Sequence, residues 1–444
     1  MLSTLHQLLV SGNDEIVIAY DGQQSKTLAD LKREVILTQS ACQTQNLSRY
    51  VIACRDPWFH LVAMLALQQL GKTVVFPHNQ APTTLDRYRN GAALVADDSQ
   101  LQPDVFIQEP VSSIEIVSKS AFRAVNALDC TLELYTSGST AEPKKIVKSL
   151  AVFEREAVVL QSQFTAMNNI THIIGSVTHY HIYGFLFRVV WPLLSGRRFD
   201  RRLITNIEQL KAAQGEHRAL IASPVMLEHL AQDQSELSIG VVFSSGGPLK
   251  FSTSQSVKAQ TQQYAFEVFG SSETGGIAWR RQTSIDTPWQ LFSGLSYRAV
   301  ADQLVIQSPF VDQAGDYYTD DSIRCIDDRH FQLIGRRDRV VKLAEKRVSL
   351  SAIERSVTSL KEVECAVAIV SETGTRKVVN LAIVLTTLGV NNGHSVADWW
   401  KFIRRHLAKE TESVALPRKI QILGSIPRNS QGKTDNQKLQ ELFY

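Results

Sequence analysis

LYTSGSTAEPKK, residues 134–145, decides how the rest of the chain is read. An apolar strand runs into Thr136, Ser137, Gly138, Ser139 and Thr140, and then into Pro143 and Lys144. Such a segment can wrap a polyphosphate. Gly138 lets the backbone approach closely, exposed N–H groups form an anion nest, and the hydroxyls donate to phosphate oxygens. Lys144 adds a compact positive charge. No GxxxxGK[ST] is present, so this is not a Walker loop, and an ordinary Ser/Gly surface loop is the competing reading.

A strand that ends in a phosphate-wrapping loop predicts an α/β fold, and the neighbouring segments agree. WFHLVAMLALQQLG (58–71) has helical periodicity and stops at Gly71. TVVFP (73–77), VVFSSGG (241–247), AVAIV (366–370) and LAIVLTT (381–387) read as strands. The alternation predicts α/β layers with both sheet faces covered. The charge-dense GRRDRVVK near 335–340 is a poor core and a reasonable hinge. It divides a large N-terminal domain of layered α/β subdomains, 1–337, from a small mobile α+β domain, 338–444.

Composition narrows the function. With 444 residues the chain holds two or three domains. Its 44% hydrophobic and 20% charged residues are those of a globular protein. A net charge of +3, with Lys and Arg scattered, gives no support to a nucleic-acid partner. Cysteines 42, 54, 130, 325 and 365 form no CxxC and read as buried free thiols in a reducing cytoplasm. The first residues read as a short amphipathic helix rather than a signal peptide. No apolar run reaches the roughly 18–20 residues of an integral membrane segment.

Three more stretches carry candidate chemistry. In FEVFGSSETGG (266–276) a short strand ends at Phe269-Gly270, followed by two serines and Glu273. A carboxylate beside a phosphate site suits Mg²⁺, which prefers oxygen ligands and bridges phosphates. In YYTDDSIR (317–324) Asp321 can accept hydrogen bonds from ribose hydroxyls, and Arg336 offers a fixed cationic fork to the same group or to a phosphate. In IPRNSQGKTDNQKL (426–439) Lys433 follows Gly432 in a polar stretch. Each of these, taken singly, also reads as an ordinary solvated loop.

Taken together and in order, the four stretches resemble the adenylate-forming superfamily of acyl-CoA synthetases, carrier-protein acyl ligases, nonribosomal peptide adenylation domains and luciferases. YTSGSTAEPKK is similar to that family's [YF]TSGTTGxPKG. Phe269-Gly270-Ser271-Ser272-Glu273 resembles Y-G-x-T-E, and Tyr317-Tyr318-Thr319-Asp320-Asp321 resembles Y-x-TGD. Gly335-Arg336-Arg337-Asp338, Val341-Lys342, Arg347-Val348 and Ile353-Glu354 follow the family's hinge pattern, and Pro427, Gly432 and Lys433 its terminal P-x-x-x-x-G-K. His181-Ile182-Tyr183-Gly184 and Ser245-Gly246-Gly247-Pro248-Leu249 are softer matches.

The resemblance implies ATP and Mg²⁺ as cofactors. It places Thr136, Ser137, Gly138, Ser139, Thr140 and Lys144 on the β/γ-phosphates, and Gly246, Gly247, Pro248, Phe269 and Gly270 around the adenine. Asp321 and Arg336 fall on the ribose, Glu273 on Mg²⁺, and Asp338 at the hinge. Lys433, Ser272 and His181 are then the catalytic candidates, with Ser272 approaching the α-phosphate and Lys433 lying near the acyl carboxylate. His181, Tyr183, Phe185, Phe243 and Ser245 become candidates for the acyl pocket, where aromatics suit an aryl or medium apolar acid and equally suit core packing. The implied activity is formation of an acyl-AMP from a carboxylic acid, then transfer to a thiol of an acyl carrier protein or coenzyme A. A standalone amino-acid adenylation domain and a non-catalytic nucleotide-binding relative are the alternatives. Ala141, Lys145, Asp320 and Glu345 stand where the family has glycine. The last of these bears on thioester formation.

Overall fold

The computed structural model describes residues 4–110, 122–136, 143–312, 315–337, 339–343, 346–373, 376–409, 411, 413–428 and 434–443. It divides into two compact units: Met1–Ser296 with Gln307–Tyr317, and Tyr297–Ile306 with Tyr318–Tyr444.

The first unit contains two sheets among the described residues. One is ordered Val105–Phe106, Ala93–Ala96, Arg49–Ile52, Thr73–Phe76, Thr131–Thr136, Lys144–Ser149. Its strands are parallel except the last, which returns antiparallel to Thr131–Thr136. The helix Pro57–Gln69 is buried on every side, which fits its near-continuous apolar sequence. Asp56 caps it, accepting from Trp58 N at 2.8 Å, and Pro57 occupies the first turn, where no N–H is missed. Gly71 follows the helix at φ +68°, a left-handed position that favours glycine.

The second sheet of this unit places His172–Gly175, Gly215–Ala222, Ile239–Ser244 and Phe266–Ser271 side by side in parallel. The expected strand at 241–247 is present and stops at Ser244. The expected end at Phe269-Gly270 is not where the neighbouring strand ends. It continues to Ser271 and returns as Gly275–Arg281, making a hairpin. The buried ion pair of Glu267 with Arg280, 2.8 Å, ties its two arms. A strand-to-loop reading missed the return strand because Thr274-Gly275-Gly276 looks like a loop until Ser271 pairs with Gly275 across the turn.

In the second unit, Asp321 faces Arg336 across the antiparallel strands Tyr317–Cys325 and His330–Arg336. Further along, Val363–Thr373, Arg376–Leu385 and Ile420–Leu423 form a sheet. It is covered by Leu350–Thr358 and Val396–Leu407, which share one hydrophobic core with it. The second helix buries Trp399, Ile403 and Leu407, one residue per turn on a single face, each side chain worth about 2 kcal/mol of transfer. Ser395 and Asp398 form its capping box, and Arg404, Arg405 and His406 sit in the last turn, where cations suit the helix dipole. The strand expected over 381–387 stops at Leu385. Thr386 accepts from Gly389 N and begins the short helix Thr387–Asn391 instead.

The cysteines are free, but the expectation that all are buried fails. Cys42, Cys54 and Cys130 are buried, Cys365 is half-buried and Cys325 is exposed. Cys325 is the last residue of strand Tyr317–Cys325, whose final two residues are both exposed. Among the described residues no helix is long and apolar enough to cross a membrane.

Candidate active site

Strand Thr131–Thr136 and strand Lys144–Ser149 pair so that Thr136 lies opposite Lys144. Ser137, Gly138, Ser139, Thr140 and Ala141, which follow Thr136 in the chain, lie outside the described residues, as do Asp338, Glu345, Gly432 and Lys433. The strands on either side of residues 137–141 in the chain are described.

Alternation along Lys144–Ser149 sends Lys144, Ile146 and Lys148 to one face, and Lys145 and Val147 to the other. Lys145, where the resembled motif has glycine, donates to Glu133 Oε1 at 2.5 Å. Arg49 grips the other carboxylate oxygen through two nitrogens, at 2.8 and 2.9 Å. Partial burial works against the Glu133 charge, but Lys145 and Arg49 outweigh it and hold the carboxyl below its ordinary range. Lys145 is therefore a bolt on the strand pair rather than a gap in a glycine loop.

On the opposite face, Lys144 Nζ donates to Glu273 Oε1 at 2.7 Å. Glu273 stands at the tip of the hairpin 266–281. The turn there is fixed by hydroxyls: Ser271 N donates to Thr274 Oγ1 at 3.0 Å, and Thr274 N to Ser271 Oγ at 3.2 Å. Burial opposes the Glu273 charge. The Lys144 ammonium, Glu273's own N–H and the Ser271 hydroxyl prevail and keep its carboxyl below the ordinary range. A carboxylate that stays ionised fits Mg²⁺, which takes one or two protein carboxylates and fills its shell with water and phosphate oxygens. Among the described residues no group of three or more His, Cys, Asp or Glu side chains is assembled for a metal, so a protein-only cage is not built there. Ser272 is half-buried in the same turn.

The turn is also held from below by two residues that sequence reading missed. Lys148 is 2% exposed and donates to the Glu273 carbonyl at 2.9 Å and the Phe310 carbonyl at 2.6 Å. Glu156, from helix Leu150–Gln163, accepts from Gly276 N at 2.7 Å. Burial pushes the Glu156 carboxyl up to about 7, against the pull of the Gly276 N–H and Lys148. A lysine at an inward strand position was the one available signal for the first; nothing in the sequence marks the second.

The segment after strand Ile239–Ser244 carries the expected adenine-side residues. Gly246 adopts φ +88°, which strains any L side chain. The Ser245 hydroxyl donates to Val268 O at 2.8 Å, tying this turn to the neighbouring strand. Phe269 is half-buried with its ring 5.4 Å from that of Trp289, while Gly247 and Gly270 are exposed and Pro248 is exposed with them.

The pocket candidates separate. Phe243 is wholly buried among Phe164, Phe187, Trp191 and Phe266, with centroids 5.0–5.7 Å apart. Phe185 is wholly buried against Phe76, Phe153 and His60. His181 is half-buried at the start of the short helix Ile182–Phe185. A Cβ on Gly184 would lie 2.0 Å from the Thr178 carbonyl, so this helix can close on residue 178 only with glycine there. Arg188, fully buried, donates to Val177 O at 2.6 Å and Arg202 O at 3.0 Å, fixing the segment that leads to His181. The Tyr183 ring lies 4.9 Å from that of Phe187, tilted by 54°, and its buried hydroxyl meets no hydrogen-bond partner among the described residues. Burial alone pushes that phenol far above its usual range.

In the second unit, Asp321 is 8% exposed, and its Oδ1 lies 4.0 Å from Arg336 Nη1. Asp320, at another glycine position of the motif, reaches Arg336 Nη2 at 3.5 Å, while its carbonyl accepts from Arg337 N at 2.6 Å. The two groups proposed for a ribose are therefore adjacent through strand register.

Comparison with known proteins places this arrangement. The sequence model of the AMP-binding enzyme family matches residues 48–297. A 4-coumarate–CoA ligase of Cereibacter sphaeroides is 25% identical over 67% of this chain and 68% of its own. The fold is shared with the AMP-bound O-succinylbenzoate coenzyme A synthetase of Bacillus subtilis, at TM-score 0.76, 16% identity, and coverage of 99% of this chain and 98% of that one. It is shared equally with a benzoate CoA ligase of Burkholderia xenovorans, at TM-score 0.76, 16% identity, and coverage of 99% and 100%. With more than half of the chain matched by the family's own pattern, and the matched span containing the Lys144–Glu273 pair, the chain belongs to the AMP-binding family of adenylate-forming enzymes.

Proposed function

We propose that the protein joins a carboxylic acid to ATP, forming an acyl-AMP and pyrophosphate, and then transfers the acyl group to the thiol of coenzyme A or an acyl carrier protein. The observation that carries this reading is the meeting of Lys144 with Glu273, 2.7 Å apart. A carboxylate attacking an α-phosphate brings two anions together, so fixed positive charge lowers the barrier more than any proton transfer would. Lys144 and the segment 137–140 would hold the β/γ-phosphates, Glu273 would hold Mg²⁺, and Asp321 with Arg336 would hold the ribose. Magnesium bound there would supply charge neutralisation across the phosphates. Ser272, in the Glu273 turn, would approach the α-phosphate, and Lys433 would bring a further cation to it. Gly246, Gly247, Pro248, Phe269 and Gly270 would border the adenine, and His181, Tyr183 and Ser245 the acyl side. The small domain from 338 onward would move about Asp338, delivering Lys433 and then withdrawing it so that a thiol can enter.

The names of the relatives favour an aryl acid and coenzyme A: the sequence relative is a 4-coumarate–CoA ligase, and the two structural neighbours carry aromatic acids in their names. ATP–pyrophosphate exchange across a panel of aryl, fatty and amino acids tests the first half-reaction. Aryl acids are expected to support it, and a panel in which no acid does so ends the reading. Mass spectrometry of the products with coenzyme A, and separately with a carrier protein, identifies the acceptor.

A further inference from the structure

We propose that Lys148 and Glu156 are positioning residues that set the Glu273 turn at its place beside Lys144. This inference rests on the reading of Glu273 as the magnesium ligand. The turn's shape comes from its own Ser271–Thr274 hydrogen bonds, but those bonds say nothing about where the turn sits. Its place is set by two buried side chains that touch only its main chain. Lys148 donates to the carbonyl of Glu273 itself, 2.9 Å, and Glu156 accepts the N–H of Gly276, 2.7 Å. The hairpin register shifts at Phe269/Gly270, so the Gly276 N–H sits at an irregularity in the pairing, and Glu156 takes it up.

The two residues come from adjoining elements. Lys148 lies on strand Lys144–Ser149 and Glu156 on helix Leu150–Gln163, which begins immediately after it. Lys144 and Lys148 share one face of that strand, and both end on Glu273, one on the carboxylate and the other on the carbonyl. The strand that carries Lys144 to the Glu273 carboxylate therefore also carries the lysine that holds the Glu273 main chain. Lys148 also donates to the Phe310 carbonyl at 2.6 Å, so a third segment braces the same ammonium. Both residues are 3% exposed or less, so removing either side chain leaves a buried backbone group without its partner.

The test is a calorimetric titration of ATP into the full-length protein, in saturating Mg²⁺ and again in EDTA, with melting temperature recorded for every variant. The readout is the factor by which Mg²⁺ tightens ATP binding. Lys148→Met and Glu156→Ala are expected to cut that factor at least about fivefold while the affinity in EDTA stays within about twofold, since a charged hydrogen bond to the turn is lost but the nucleotide contacts are not. Glu156→Gln, whose amide oxygen can still accept from Gly276, is expected to keep it. Should Lys148→Met not fold, the contrast between Glu156→Ala and Glu156→Gln decides. Folded Lys148→Met and Glu156→Ala proteins with the wild-type factor, beside a Glu273→Gln protein that has lost it, would overturn the positioning role alone. A Glu273→Gln protein that keeps the factor overturns the metal assignment and this inference with it.

Discussion

The Lys144 ammonium lies 2.7 Å from the Glu273 carboxylate, joining residues 129 apart in sequence. The Lys144 side chain is 57% exposed, so the pair is worth little to the fold, about 0.5 kcal/mol. Its consequence is for binding. Lys144→Met is expected to leave the melting temperature essentially unchanged and, on the proposed role of Lys144 at the phosphates, to weaken MgATP binding about tenfold through loss of a charge-assisted contact. Calorimetry with MgATP and a thermal melt on the same sample check both halves.

Asp321 reads ribose in the proposed site. Asp321→Asn preserves shape and removes charge, so the KM for ATP in pyrophosphate exchange should rise about fivefold to tenfold. The sharper measurement is discrimination. The wild type should prefer ATP over 2′,3′-dideoxy-ATP, and the variant should have lost most of that preference.

Lys433 carries the transition-state charge in this reading. Lys433→Ala should reduce pyrophosphate exchange by at least about a hundredfold while ATP still binds within about threefold of wild type. An unchanged exchange rate would place the catalytic cation elsewhere.

Glu154 makes stability depend on pH in a definite direction. Burial raises its carboxyl from 4.5 to about 7, with the Leu5 N–H at 2.9 Å pulling the other way. The folded state thus holds a proton between these values that the unfolded state has released. Stability from this group is complete below about 4.5 and is lost as pH rises through about 7, a total of about 3 kcal/mol. Glu154→Gln keeps an oxygen for the Leu5 N–H and removes the ionisation. It should match wild type in chemical denaturation at pH 4.5 and be more stable at pH 8.

Tyr183 buries a hydroxyl that has no partner among the described residues. Tyr183→Phe should therefore not destabilise the protein without its acid substrate, and a gain of about 1 kcal/mol is expected, because an unmade hydrogen bond is removed. If the hydroxyl faces the acid, the same variant should shift the exchange assay away from acids bearing a polar substituent. Unfolding midpoints and the acid panel check the two statements separately.

The sequence by itself determined the family, the α/β class and the residue types available for chemistry. Thr136, Lys144, Glu273, Asp321 and Arg336 were legible because each sits in a short stretch whose chemistry is local: hydroxyls, a glycine, an acid at a strand end. The helix at 58–71 was legible because burial on all faces writes itself into residue order. Tertiary structure decided what no spacing encodes. It committed Lys145, together with Arg49, to Glu133, turned the 266–276 stretch into a hairpin, and drew Phe185 and Phe243 into ring clusters. It also set Lys148 and Glu156 beneath the Glu273 turn. A buried lysine and glutamate look like surface residues in a linear sequence, because their partners are backbone groups supplied by segments 120 to 162 residues away.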